Sequence, residues 1–150
     1  MRKVQEVQME NTIENLLTLT AGKMNHKANT YSPLALAYIG DGVYEIFIRT
    51  YVMNKGNAPV NKLHKASREL VKASTQAKLY YAIEDILTEE EKAVLRRGRN
   101  AKSYSSPKNG DIGDYRHATG VEALIGYLYI DGQVERIKEL IDLGLEKMSL

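Results

Sequence analysis

At 150 residues, with 43% hydrophobic and 27% charged residues, the chain has the size and composition of one globular domain with a single core. It contains no cysteine, which excludes disulfides, zinc–thiolate centres and thiol nucleophiles. The net charge is only +2, so any contact with a polyanion must come from local clustering of bases rather than from the chain as a whole.

The chain opens on the polar stretch MRKVQEVQMENTIENLL, which has no apolar run fit for a signal peptide or a membrane span. A cytoplasmic location is expected. Residues 1–30 form an N-terminal segment expected to be partly ordered and to pack on the core. Within it, MENTIENLLTL reads as a short helix with Ile13, Leu16 and Leu17 on one side, and AGKMNHKANTY as a loop.

Residues 31–150 read as one all-α domain, because helical periodicity dominates and strand-like alternation is scarce. Ser32 and Pro33 mark the first clear helix start, as N-cap and first-turn residue, and the helix should run to about Val52. A second start falls near Pro59 to Asn61. The helical spacing that follows, through Leu63, Leu70, Val71, Leu79 and Ile83, should break once near Ser74 and Thr75. Thr88 and Glu91 fit a capping box that opens EEEKAVLRRGRNAK. SYSSPKNGDIGD reads as a loop, Tyr115 to Ile130 as a helix, and Val134 to Met148 as a last helix with a broad apolar face.

Two acids stand out. PLALAYIGDGVYEIFI carries apolar residues on every side of a helix and should therefore be central, yet Asp41 lies in its middle between Gly40 and Gly42. YRHATGVEALIGYLYI repeats the pattern: Glu122 is its one acid, with Gly120 and Gly126 nearby. Glycine inside a helix costs roughly 1 kcal/mol against alanine and commonly permits close approach to the backbone. If the helices cross with the acids facing, the pair offers hard oxygen ligands suited to Mg²⁺ or Mn²⁺, leaving coordination positions for water and phosphate oxygens. The structural alternative has Asp41 facing solvent and Glu122 paired with an arginine such as Arg116 or Arg68.

The local words add a resemblance. IGDGVYE resembles the Leu-Gly-Asp stretch of the ribonuclease III endonuclease domain, and VEALIGYLYID resembles that family's second acidic stretch. Their order and separation match, and SRELVKASTQAKL is loosely similar to the helix between them. The likeness spans about Tyr31 to Met148. With no room for a double-stranded-RNA-binding domain after it, the sequence is similar to the stand-alone Mini-ribonuclease III group.

The resemblance implies a ribonuclease III-like helical bundle and a Mg²⁺-dependent endoribonuclease that cuts double-stranded RNA to 5′-phosphate and 3′-hydroxyl ends. It implies a homodimer with two sites across one RNA valley, and a role in maturing the ends of 23S ribosomal RNA precursor. Asp41 and Glu122 become the catalytic and metal-binding pair. Where larger family members carry a Glu one turn before the Asp and an Asp one turn before the Glu, this chain has Ala37 and Thr119. The ion is therefore expected to be weakly held and water-rich.

Lys92, Arg96, Arg97, Arg99, Lys102 and Lys108 form the most basic segment, with no acid between Lys92 and Lys108. Hydrogen-bonding Ser105 and Ser106 lie within it. Duplex RNA is held mostly through phosphates and 2′-hydroxyls, so Arg96, Arg97, Arg99, Lys102, Ser105, Ser106 and Lys108 are the expected RNA contacts. Lys62, His64, Lys65 and Arg68 are weaker candidates, and His117 reads as a surface histidine in preference to a catalytic one. The rival readings are a non-catalytic duplex-RNA-binding module, motivated by Ala37 and Thr119, and a helical adaptor that binds protein partners only.

Overall fold

The computed structural model describes residues 24–102 and 110–149. Among them are six α-helices: α1 (Pro33–Asn54), α2 (Val60–Val71), α3 (Ala73–Ile83), α4 (Glu89–Asn100), α5 (Ile112–Ile130) and α6 (Val134–Lys147). Short 3₁₀ turns cover Ala28–Thr30 and Glu84–Ile86. The expected helix around Ile13 to Leu17 lies outside the described residues.

The local signals act as their chemistry dictates. Ser32 Oγ accepts from the Ala35 amide ahead of Pro33, giving α1 its start. Thr88 and Glu91 form a reciprocal capping box at α4. Glu91 is buried and is also held by Arg136 of α6, whose Nε and Nη2 reach its two carboxylate oxygens at 2.9 Å. Burial pushes the Glu91 carboxyl up, but the Arg136 and Thr88 hydrogen bonds outweigh it and leave the pKa below the ordinary value.

Three expectations need correction. The break between α2 and α3 falls at Lys72, not at Ser74–Thr75. Lys72 is extended, and the freed α2 carbonyls are taken by side chains: Thr75 Oγ1 donates to Glu69 O (2.5 Å), Tyr44 Oη to Leu70 O (2.6 Å) and Gln76 Nε2 to Val71 O (2.8 Å). Helix α5 starts at Ile112, three residues before the expected Tyr115, because the Asp111 side chain accepts from the Asp114 amide and caps it.

The third correction concerns centrality. The buried centre is α5, on which α1, α3 and α4 all pack, and Val121, Ala123, Leu124 and Leu128 are fully enclosed. Helix α1 is enclosed on one side only. Tyr38, Ile46 and Met53 on its other face are 84%, 64% and 65% exposed, and Asp41 and Gly42 also reach the surface. Apolar residues on every side of a helix therefore do not mean burial on every side.

Candidate active site

Two glycines decide how α1 meets α5. A methyl carbon on Gly40 would lie 1.7 Å from the carbonyl oxygen of Glu122 and 2.8 Å from the Gly126 amide nitrogen. One on Gly126 would lie 1.9 Å from the carbonyl oxygen of Leu36. Only hydrogen fits at either position, so the two helix backbones touch here. The acids sit at this crossing: Asp41 follows Gly40, and Glu122 is the residue whose carbonyl lies against it.

The crossing sets the electrostatics. Glu122 is half-buried and its carboxyl pKa is pushed up to about 8. Burial is the largest cause, followed by a side-chain hydrogen bond with Asp41 and repulsion from its charge. The two carboxyl groups thus share a site, in which the Glu122 carboxyl favours its protonated form. Tyr44, one turn beyond Asp41, is fully buried, and its phenol is raised well above the ordinary range, first by burial and then by the charge on Glu122. Among the described residues no arginine pairs with either acid, so the alternative of a Glu122 ion pair with Arg68 or Arg116 is not the arrangement adopted.

Two adjacent acids, one exposed at the surface and one raised chiefly by burial and then by its neighbour, fit a divalent cation, which Asp41 and Glu122 would hold through hard oxygen donors. Ala37 and Thr119 are buried beside the crossing, and Thr119 Oγ1 donates to the Tyr115 carbonyl. Among the described residues no group of three or more His, Asp or Glu side chains gathers as a ready-made metal cage.

A second glycine contact brings the basic segment to the same helix. A methyl on Gly98 of α4 would lie 2.7 Å from Ala123 Cβ, 2.9 Å from Gly120 Cα and 3.1 Å from Thr119 O. Helix α4 therefore docks on the turn of α5 that carries Glu122. Arg96 and Arg97 are exposed at its last turns and Lys102 is exposed just beyond. Arg99 is half-buried and tied to Tyr80. Ser105, Ser106 and Lys108 lie outside the described residues. Lys62, His64, Lys65 and Arg68 are exposed on α2, with Glu69 lowered by its hydrogen bond and charge contact with Lys72 and by the charges of Lys65 and Arg68.

Sequence reasoning overlooked Gly98, Tyr80 and Tyr81. An isolated glycine within the helical run EEEKAVLRRGRN was the one available signal for the α4 contact. His117 is not simply a surface histidine: its ring nitrogens meet Tyr81 Oη (3.0 Å) and Gly113 O (2.6 Å).

Comparison with known proteins places this geometry. The model of the ribonuclease III domain matches residues 34–133, which include Asp41 and Glu122. A Mini-ribonuclease 3 of Thermoanaerobacter sp. is 45% identical over 138 residues, covering 92% of this chain and 97% of the relative. A Mini-ribonuclease 3 of Clostridium tetani is 53% identical over 113 residues, 75% of each chain. A crystal structure of a Fusobacterium nucleatum protein is similar with a TM-score of 0.73 and 33% identity, covering 83% of this chain and 100% of that one. The chain belongs to the ribonuclease III family of endoribonucleases, in the group whose members are named Mini-ribonuclease 3.

Proposed function

We propose that the chain cleaves double-stranded RNA by hydrolysis at the Asp41–Glu122 pair, with Mg²⁺ (or Mn²⁺) as its cofactor. The single observation that carries this reading is the Gly40–Gly126 crossing, which forces two acids 81 positions apart in the sequence into one partly open site. When bound there, the cation supplies a water of lowered pKa and neutralises charge on the phosphodiester. The chain's own part is to fix both carboxylates on helices rather than loops, to keep Glu122 out of bulk water, and to leave Asp41 facing the surface where substrate arrives. Because Glu122 holds a proton in the absence of a cation, it must lose it to become a ligand.

Arg96, Arg97 and Lys102, with Ser105, Ser106 and Lys108 in the adjoining segment, are the proposed contacts to phosphates and 2′-hydroxyls. The docking of α4 beside Glu122 favours this assignment. The partner for α1 is proposed to be a second copy of the chain. Tyr38, Gly42, Ile46 and Met53 share one face of α1, the three large residues are mostly exposed, and a methyl on Gly42 would meet nothing within 4 Å among the described residues. A helical glycine that no neighbour among the described residues requires is suited to close approach by a two-fold mate. The proposed cellular substrate, 23S ribosomal RNA precursor in a bacterial cytoplasm, rests on the family alone. Among the described residues no helix is long and apolar enough to cross a membrane.

The test is Asp41→Asn. It should keep the fold and duplex binding, while cleavage falls on the order of a thousandfold, the scale of losing one electrostatic partner of the transition state. Wild-type cleavage by this variant would end the proposal.

A further inference from the structure

Arg99 behaves unlike its neighbours. Arg96 and Arg97 are exposed, whereas Arg99 is half-buried in the last turn of α4. Its Nη1 donates to Tyr80 Oη at 2.9 Å, its Nε donates to Asn100 Oδ1 at 3.1 Å, and its guanidinium carbon lies 5.8 Å from the centre of the Tyr80 ring. Tyr80, on α3, is fully buried. Its ring meets His117 edge-on, with centroids 4.6 Å apart and planes at 89°. His117 in turn bonds Tyr81 Oη and the Gly113 carbonyl in the first turn of α5.

A chain of contacts thus runs from the end of α4, across α3, to the start of the helix that carries Glu122. The same region is closely packed: a methyl on Gly120 would lie 2.8 Å from Leu95 O, 3.2 Å from the Tyr80 ring and 3.3 Å from the Arg99 amide nitrogen. An arginine that serves phosphates presents its planar fork to solvent. This one directs a donor at a buried phenol and lies near its ring.

We propose that Arg99 is a positioning residue: through Tyr80 and His117 it fixes the end of α4, with Arg96 and Arg97, relative to Glu122, and it does not itself neutralise an RNA phosphate. The inference rests on the reading of α4 as an RNA-contacting element and divides the labour among its arginines. His117 is thereby assigned to the same support.

The experiment combines two readouts on the full-length protein. Equilibrium binding of a defined RNA duplex, without divalent cation, is measured over a series of salt concentrations. Single-turnover cleavage is then measured with Mg²⁺. Each phosphate contact contributes roughly one unit to the slope of log affinity against log salt. Arg96→Ala with Arg97→Ala should flatten that slope, and Arg99→Ala should leave it at the wild-type value. Single-turnover cleavage should fall about tenfold in Arg99→Ala, as expected for loss of one charge-assisted hydrogen bond. Tyr80→Phe keeps the ring and removes the hydroxyl, which accepts from Arg99 and also bonds the Glu84 side chain, so it should fall by at least a similar factor. The double variant should fall no further than Tyr80→Phe alone, rather than a hundredfold, since the Arg99–Tyr80 bond is already broken by either change.

A slope reduced by about one unit in Arg99→Ala, with Tyr80→Phe like wild type, would make Arg99 a phosphate ligand and overturn the proposal. Unchanged cleavage in both single variants would overturn it as well. An unchanged slope in the Arg96/Arg97 variant would instead refute the RNA face itself, a failure visible apart from the coupling of Arg99 to Tyr80.

Discussion

Replacing Gly40 by alanine tests the contact on which the site depends. The added methyl would sit 1.7 Å from the Glu122 carbonyl oxygen and 2.7 Å from its carbon, and the obstacle is helix backbone that cannot turn aside as a side chain would. An ordinary carbon–oxygen contact is about 3.3 Å, so α1 and α5 must part by roughly 1.5 Å at the crossing. Overpacking of this kind costs about 3 kcal/mol, offset by about 1 kcal/mol of better helix propensity. The net loss of about 2 kcal/mol should lower the thermal midpoint by about 4–8 °C. The effect on chemistry should be larger, because separating the helices separates Asp41 from Glu122, and a misplacement of about 1 Å costs on the order of a hundredfold in rate. Thermal unfolding by far-ultraviolet circular dichroism gives the first number. Duplex-RNA cleavage at a temperature where both proteins are folded gives the second. Gly126→Ala strikes Leu36 O at the same crossing, so the double variant should cost clearly less than the sum of the two. A Gly40→Ala protein with wild-type midpoint and rate would show that the helices do not meet as closely as described.

The carboxyl pair makes stability depend on pH. Glu122 titrates near 8 when folded and near its ordinary 4.5 when unfolded, so between those values the native state binds the extra proton and stability falls as pH rises. In metal-free buffer the loss should be on the order of a few kcal/mol across that window; Glu122→Gln should lack it, and parallel profiles for the two proteins would refute the assignment. Mg²⁺ should restore midpoint at pH 8 in the wild type and much less in Asp41→Asn, as followed by the same melts. Arg136→Ala leaves Glu91 buried without its partner and should cost about 3 kcal/mol in denaturant unfolding. Replacing Tyr38 and Ile46 together by serine should turn the proposed dimer into a monomer in sedimentation; an unchanged mass would refute this face as the interface.

The sequence by itself determined the elements and the candidate chemistry. Caps at Ser32 and Thr88 act within one turn of chain, so their effect is written locally, and the two isolated acids with their glycines were visible as departures from apolar helices. It misjudged where structure depends on distant partners. At the Lys72 break the Leu70 carbonyl is taken by Tyr44, which comes from another helix and so leaves no mark in the local sequence. Helix α1, apolar on every side, is open on one face because burial depends on which neighbours arrive, and hydrophobicity alone does not name them. Arg99 shows the same limit within a single segment: in sequence it is one more base in a cationic run, and only the packing of α4 against α3 and α5 ties it to Tyr80 while Arg96 and Arg97 stay in solvent. Tertiary structure alone decided which helices cross at Gly40 and Gly126, because excluded volume between backbones is a property of the pair and of neither sequence stretch taken singly.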